Sequence, residues 1–338
     1  MQLDHARELK QRALNSVLPN EVARSWRAEA LHFGPQGRSI REGQPSPLVA
    51  VGIAPSDRED GYRLALRTRG SGPFTERVVE RLTALARNEV DLRTTGRVVG
   101  AAKGNAPLQG RCMPLMSGAS LAHHRFSAGT LGGFARNKPD QDDGAVLLLS
   151  NNHVLARLNK QKKGDPTVHP SPDDGGIAPP DTVAGLERCI TLNSSGGNKV
   201  DAAVAKLSAG IDFDARTLPG LGNLCGVADY SLKGGLVHMV GRTSGVRHGR
   251  ITAFDVDVLS VGLQSGYYDF VDQIEVEGLG SDSFAQRGDS GALVVDSDHL
   301  AVGLLFAVGG VGGSNGRGLS YMNPIQKVLG RLDIRLII

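Results

Sequence analysis

The chain has 338 residues, 45 of them glycine, with 38 Lys and Arg against 35 Asp and Glu and a formal charge of +3. So even a balance excludes the electrostatic footprint of a nucleic-acid binder or of a protein held on an anionic membrane. Glycine is nearly twice its usual ~7% without collagen's period, which points to short strands joined by tight turns.

Residues 4–18 carry Ala6, Leu9, Ala13 and Val17 on one helical face. A Gly/Pro/Arg-rich stretch follows at 34–47. Strand-like runs come next at 48–53 and 62–68. The second alternates Tyr62, Leu64 and Leu66 inward with Arg63, Ala65 and Arg67 outward. Helical spacing returns over 75–86, with Val78, Val79, Leu82 and Leu85 on one side. A last strand is expected within 90–99. This β-β-α-β order predicts a small α+β N-terminal domain over 1–105, serving regulation or assembly.

From about residue 110 the texture changes. Short apolar runs at 130–134, 145–150, 183–192, 202–207, 236–240, 251–259, 273–276, 292–295 and 300–307 alternate with Gly, Asn, Asp and Ser clusters. Such spacing predicts an all-β barrel or sandwich pair over 106–338. Residues 160–180, rich in Gly, Pro and Asp, read as a long surface loop. Asn323 can cap a helix that begins at Pro324, giving a C-terminal helix over 323–330.

No apolar run approaches the ~18–20 residues of a membrane helix, and the first 20 residues hold no apolar stretch of secretory length. Cys112, Cys189 and Cys225 are odd in number and widely spaced, which suits neither a disulfide framework nor a zinc site. The expectation is a cytoplasmic protein of a reducing compartment, with no metal, no cofactor and no nucleic-acid or membrane partner.

Three segments carry the chemistry: SNNHVLA around His153, VDAAVAKL with Asp201, and RGDSGALVV around Ser290. Each joins a reactive side chain to an apolar, strand-like run, which holds reactive groups on a rigid scaffold. A serine hydroxyl is a poor nucleophile until an imidazole takes its proton, and the imidazole needs a carboxylate to fix its tautomer. The order His, Asp, Ser, with the second interval nearly twice the first, matches the chymotrypsin triad. The Ser-first order and GxSxG turn of an α/β-hydrolase do not occur. Asp165, Asp173, Asp174 and Asp181 are competing acids placed in or beside the expected loop, with Asp181 the runner-up for the triad. His123 and His124 read as structural, and Cys225 as a buried thiol.

Residues 115–330 resemble the chymotrypsin-like serine peptidases. The GDSG at Gly288–Gly291 matches that family's nucleophile motif, and GRTSGVRHGRIT from Gly241 resembles a second-barrel hairpin of bacterial alpha-lytic and streptogrisin-type enzymes. NNHVLA, RGDSGALVVD and AVGLLFAVGG also resemble intracellular bacterial trypsin-like proteins related to the plant narrow-leaf peptidases.

The resemblance implies a mostly β fold with barrels over about 115–215 and 220–322. It implies His153, Asp201 and Ser290 as catalytic triad and the amides of Gly288 and Ser290 as oxyanion hole. Asp289 becomes a buried structural carboxylate, for which Arg242, then Arg287, is the expected cation.

Departures from the family pattern are Ala292 in place of a glycine, Phe306 in place of a triad-supporting serine, and His238 with His248 at a disulfide position. Phe284 replaces the pocket aspartate of trypsin-type enzymes, so no preference for Lys or Arg is expected. The function read from these residues is a serine endopeptidase acting on protein or peptide substrates. The alternative is a regulated or inactive interaction module on the same fold, with a homo-oligomer or regulatory partner engaged through the N-terminal unit.

Overall fold

In the first hundred residues the apolar spacing yields two helices on one face of a small sheet. Leu3–Arg12, continued as a wider π turn over Ala13–Val17, and Pro73–Leu85 bury Leu9, Ala13, Val78 and Leu82 against Val49, Val51, Leu64 and Leu66. Pro73 opens its helix where a missing N–H costs nothing. Strands β1 (Val49–Pro55) and β2 (Tyr62–Thr68) pair antiparallel, and the second helix carries the chain to β3 (Val90–Thr94), parallel to β2. The expected strand at 90–99 is two: β4 (Val98–Gly100) does not continue beside β2 but pairs with Leu300–Gly309. The computed structural model describes residues 1–20, 49–58, 61–100, 108–139, 143–229, 235–257 and 259–338. The stretch at 34–47, Leu48 and the boundary at 105/106 lie outside them.

The other face of β1 and β2 is not open to water, contrary to the sequence pattern. β1 also pairs antiparallel with Gly245–Asp257, so the N-terminal strands extend one continuous 13-stranded sheet. Ala50, Ala54 and Ala65 pack against Val256, Phe306 and Tyr321. Arg67, expected outward, is fully buried, and of the three outward residues only Arg63 reaches the surface. The Arg67 guanidinium donates to both oxygens of Glu275 at 2.7 and 2.8 Å and to Asp91 at 2.7 Å. Thr252 and Tyr321 donate to the same Glu275 carboxylate at 2.8 and 3.1 Å. Removing one partner from a buried pair strands the other charge, so Arg67→Ala is expected to cost about 3–5 kcal/mol. Denaturant unfolding reads that loss directly, and a loss under about 1 kcal/mol would contradict it.

The remaining chain forms two β units. In the second, Leu236–Gly241, Gly245–Asp257, Gln273–Gly278, Leu319–Pro324, Leu300–Gly309 and Leu293–Asp296 pair in turn and the last returns to the first, closing a six-stranded barrel. The first is a half-barrel in the order Gly129–Thr130, Ser120–His123, Pro166–Val168, Thr182–Cys189, Ala203–Leu207, Leu147–Ser150, Gly133–Asn137 and, from the far end of the chain, Ile334–Leu336. Leu147, Leu149 and Val204 of the half-barrel share one core with Val295 and Leu304 of the barrel, sealed by Ile325, Val328, Leu329 and Leu332. The seam between the units is therefore packed with side chains from both.

Several expectations need correction. The C-terminal helix is Ile325–Leu332 with Pro324 as its N-cap, because the Asn323 side chain is engaged elsewhere. The run at 130–134 splits into two strands. That at 251–259 belongs to a 13-residue strand and a separate hairpin, Leu259–Leu263 with Gly266–Phe270. The expected loop at 160–180 contains the strand Pro166–Val168 and buries His169 and Ser171, since it packs beside Ser120. Among the described residues no helix is long and apolar enough to cross a membrane.

Candidate active site

Strand pairing brings the first two candidate residues together. Ala203–Leu207 lies beside Leu147–Ser150, with Ala203 opposite Ser150, so Asp201 arrives next to the one-turn helix Asn152–Leu155 that carries His153. Asn151 donates to the Asp201 carbonyl at 2.7 Å and Asn152 to the Ile190 carbonyl at 2.7 Å, which pins both ends of the arrangement. The His153 ring meets Asp201 through Nδ1 and Oδ2 at 2.5 Å, and the His153 amide donates to Oδ1 at 3.2 Å. The Asp201 amide donates to Asn323 at 3.0 Å, and Asn323 donates to Gln273 at 2.6 Å. With Nδ1–H committed to the carboxylate, Nε2 is the basic nitrogen, and it is buried with no hydrogen-bond partner.

Ser290 comes from the barrel side of the seam. Thr130 ties its turn to the His153 segment. The Thr130 amide donates to the Ser290 carbonyl, its hydroxyl donates to the Gly288 carbonyl, and its own carbonyl accepts from Ser150, all at 2.8 Å. Gly288 sits at φ +106°, and a Cβ there would strike Thr243 Oγ1 at 2.1 Å, so the turn requires glycine. Ser290 is fully buried, and its hydroxyl donates to the Phe306 carbonyl at 3.3 Å. Phe306, which stands where a triad-supporting serine was expected, thus contributes its backbone, while its ring packs on Phe270 at 4.6 Å.

Asp289 is buried as expected, but its partners are different. The amides of Thr243, Ser244 and Gln286 donate to it at 2.8, 3.0 and 2.8 Å, and the Ser244 hydroxyl at 2.6 Å. Burial pushes its carboxyl above the usual range, with these donors pulling the other way. Arg242 instead forms a two-pronged pair with Asp174, one contact at 2.8 Å, in place of the expected pairing with Asp289. The physical reason is that the GRTSG turn lays its own amides on Asp289, leaving the guanidinium free to reach the other buried acid. Asp174, expected in water, also accepts from Ser120 and Ser171. Burial alone would raise its carboxyl, but the Arg242 guanidinium and these hydroxyls hold it below the usual range.

Asp181 pairs with Arg111 at 2.6 Å and caps the Ile177 amide, away from His153. Phe284 is fully buried in an apolar cluster with Met239, Ile251 and Val276. Cys225 is exposed rather than buried, and all three cysteines are free. His123 is buried, which lowers its pKa to about 4. His238 and His248 face each other across their strands, Nδ1 to Nδ1 at 2.6 Å. Among the described residues no group of three or more His, Cys, Asp or Glu is placed to hold a metal ion. The sequence reading missed Asn151, Asn323 and Thr130 as supports. Only Asn151 carried a local signal, a polar residue closing an apolar strand just before His153.

A cleft of about 390 Å³ opens beside the histidine, lined by His153, Phe126, Arg287, Val99, Arg97 and Leu263 among others.

The fold is mostly β, a closed six-stranded barrel beside a half-barrel. No protein-family model matches the chain, and no curated protein does. Similar solved structures include Thermobifida fusca protease A, at 14% identity and a TM-score of 0.45 over 66% of this chain and 97% of that one. A Cellulomonas bogoriensis chymotrypsin is similar at 18% identity and a TM-score of 0.44, covering the same shares. A glutamic acid-specific serine protease is similar at 16% identity and a TM-score of 0.46, over 66% of this chain and all of the other.

Proposed function

We propose that the chain is a serine endopeptidase with His153, Asp201 and Ser290 as its triad. The observation that carries the reading is the His153–Asp201 pair at 2.5 Å, which leaves a buried, unpartnered Nε2 at the seam where the Ser290 turn is anchored. In the proposed first step the Ser290 hydroxyl, which donates to the Phe306 carbonyl in the resting chain, turns to Nε2. Nε2 takes the proton as Oγ attacks the peptide carbonyl, and Asp201 stabilises the imidazolium. The amides of Gly288 and Ser290 receive the developing oxyanion, each such donor contributing about 2.7–4 kcal/mol to the transition state. His153 then returns the proton to the leaving amine, and water repeats the sequence on the acyl-enzyme.

The acyl-side preference is for uncharged residues. Phe284, at the pocket position by resemblance, offers no charge, and burying an unpaired Lys or Arg beside it would cost several kcal/mol. Cleavage of a peptide library with an acyl-enzyme burst tests the reading. Cleavage dominated by Lys or Arg would overturn the specificity, and no cleavage by any form of the folded chain would overturn the peptidase.

By its motifs the chain is placed, within the same proposal, among intracellular bacterial trypsin-like proteins. Free Cys112, Cys189 and Cys225 suit the reducing cytoplasm expected of them. The second reading, an interaction module regulated through the N-terminal unit, is favoured by one observation: Ser290 has no solvent exposure.

A further inference from the structure

The hairpin that ends in the turn Gly241–Gly245 carries a pair of imidazoles that the proposed chemistry does not use. Along a strand, side chains alternate between the two faces. Val237 and Met239 of Leu236–Gly241 and Ile251 of Gly245–Asp257 point into the barrel core, so His238 and His248 stand on its outer face. The register sets them directly opposite each other, and antiparallel residues so placed have Cβ atoms about 4.5–5.5 Å apart. His248 is exposed and His238 half-buried. On the turn side the next pair on that face is Val240 with Val246, which packs on the core shared by the two units. On the other side it is Leu236 with Arg250, both exposed.

The two rings meet Nδ1 to Nδ1 at 2.6 Å, nearly edge to face at 76° with centroids 4.8 Å apart. Only one proton fits between nitrogens so close, so one Nδ1 donates and the other offers its lone pair. Burial, then His248 and His299, lower the pKa of His238, with Asp296 pulling the other way. His238 is therefore neutral at pH 7, the form in which an imidazole binds a metal ion. Zinc holds imidazole nitrogens at about 2.0–2.1 Å in a tetrahedral shell, which sets two of them about 3.3 Å apart. The pair opens by about 0.7 Å to take such an ion, and the exposed His248 ring has solvent to move into.

We propose that His238 and His248 form a site for a divalent transition-metal ion of the zinc class, with both Nδ1 atoms as protein ligands and water completing the shell. Imidazole nitrogen selects such ions over Mg²⁺ and Ca²⁺, which take oxygen ligands. Two protein ligands make an open site rather than a closed structural one. That agrees with the described residues, among which no set of three or more His, Cys, Asp or Glu is placed for a metal. The ion joins the two strands three residues from either end of their turn, whose Thr243 and Ser244 amides donate to Asp289. It thus stiffens the hairpin behind the nucleophile's turn, while neither ligand lines the cleft beside His153. The site stands whether or not the chain is a peptidase.

The test reads metal binding directly. Titration calorimetry of the full-length chain with ZnCl2 at neutral pH is expected to show one ion bound per chain. His238→Gln and His248→Gln are each expected to weaken that binding at least tenfold. His5→Gln, which removes an exposed histidine on the first helix, is expected to leave it unchanged. With Cu²⁺ as the probe, electron paramagnetic resonance counts the nitrogen ligands, two in the native chain and one in either hairpin variant. Circular dichroism identifies the variants that keep the fold, and one of the two suffices. Zinc affinity in a folded hairpin variant equal to the native chain's, an equal loss from His5→Gln, or no zinc uptake by the native chain overturns the inference. A single nitrogen ligand in the native copper spectrum overturns it as well.

Discussion

Ser290→Ala is expected to lower peptide hydrolysis by about 10^6-fold while the protein stays folded, the magnitude seen when a serine of a working triad is removed. The substitution deletes one oxygen. The turn around it is held by the Thr130 contacts to the Ser290 and Gly288 carbonyls and by the four donors on Asp289, none of which uses the serine hydroxyl. The donor to the Phe306 carbonyl is lost, a stability cost of about 1 kcal/mol. Turnover and denaturant unfolding, measured on the same preparation, separate the two effects. A native rate from the alanine variant would remove Ser290 from the chemistry.

Asp201→Asn is expected to lower turnover by about 10^4-fold with little change in fold. The carboxylate accepts from both His153 Nδ1 and the His153 amide. An asparagine oxygen can take one of these bonds, while its NH2 faces the other donor or turns His153 Nδ1 into an acceptor. In the second case the proton moves to Nε2, the atom that must be free to act as base. The readout that distinguishes this from general loosening is denaturant unfolding, which should stay near native while turnover falls. An unaffected variant would leave the histidine without its partner acid. Asp181 could not substitute, being committed to Arg111 and the Ile177 amide.

The triad candidates were legible because each sits in a short motif at a strand end, where local sequence decides placement. The partners of the buried charges were not. Arg242 had two buried acids within reach, and the choice fell on Asp174 because backbone amides of the adjacent turn already serve Asp289. Strand periodicity read Arg67 as outward, since its partner Glu275 lies 208 residues further on and no local pattern records that distance. The same limit hid β4. Its valines continue the β3 pattern in sequence, but a short turn at 95–97 sends them to a different sheet edge. The barrel strands, by contrast, announce themselves by short apolar runs between turn residues, and the missed hairpin Leu259–Leu263 with Gly266–Phe270 follows so closely on the long strand before it that the two read as one run.

The most direct measurement of the central claim is fluorophosphonate labelling of the native chain and its Ser290→Ala variant, followed by mass-spectrometric mapping of the adduct. The prediction is a single adduct on Ser290, absent once Ser290 is alanine. Folded native protein that takes up no label, or label that maps to any residue other than Ser290, would contradict it.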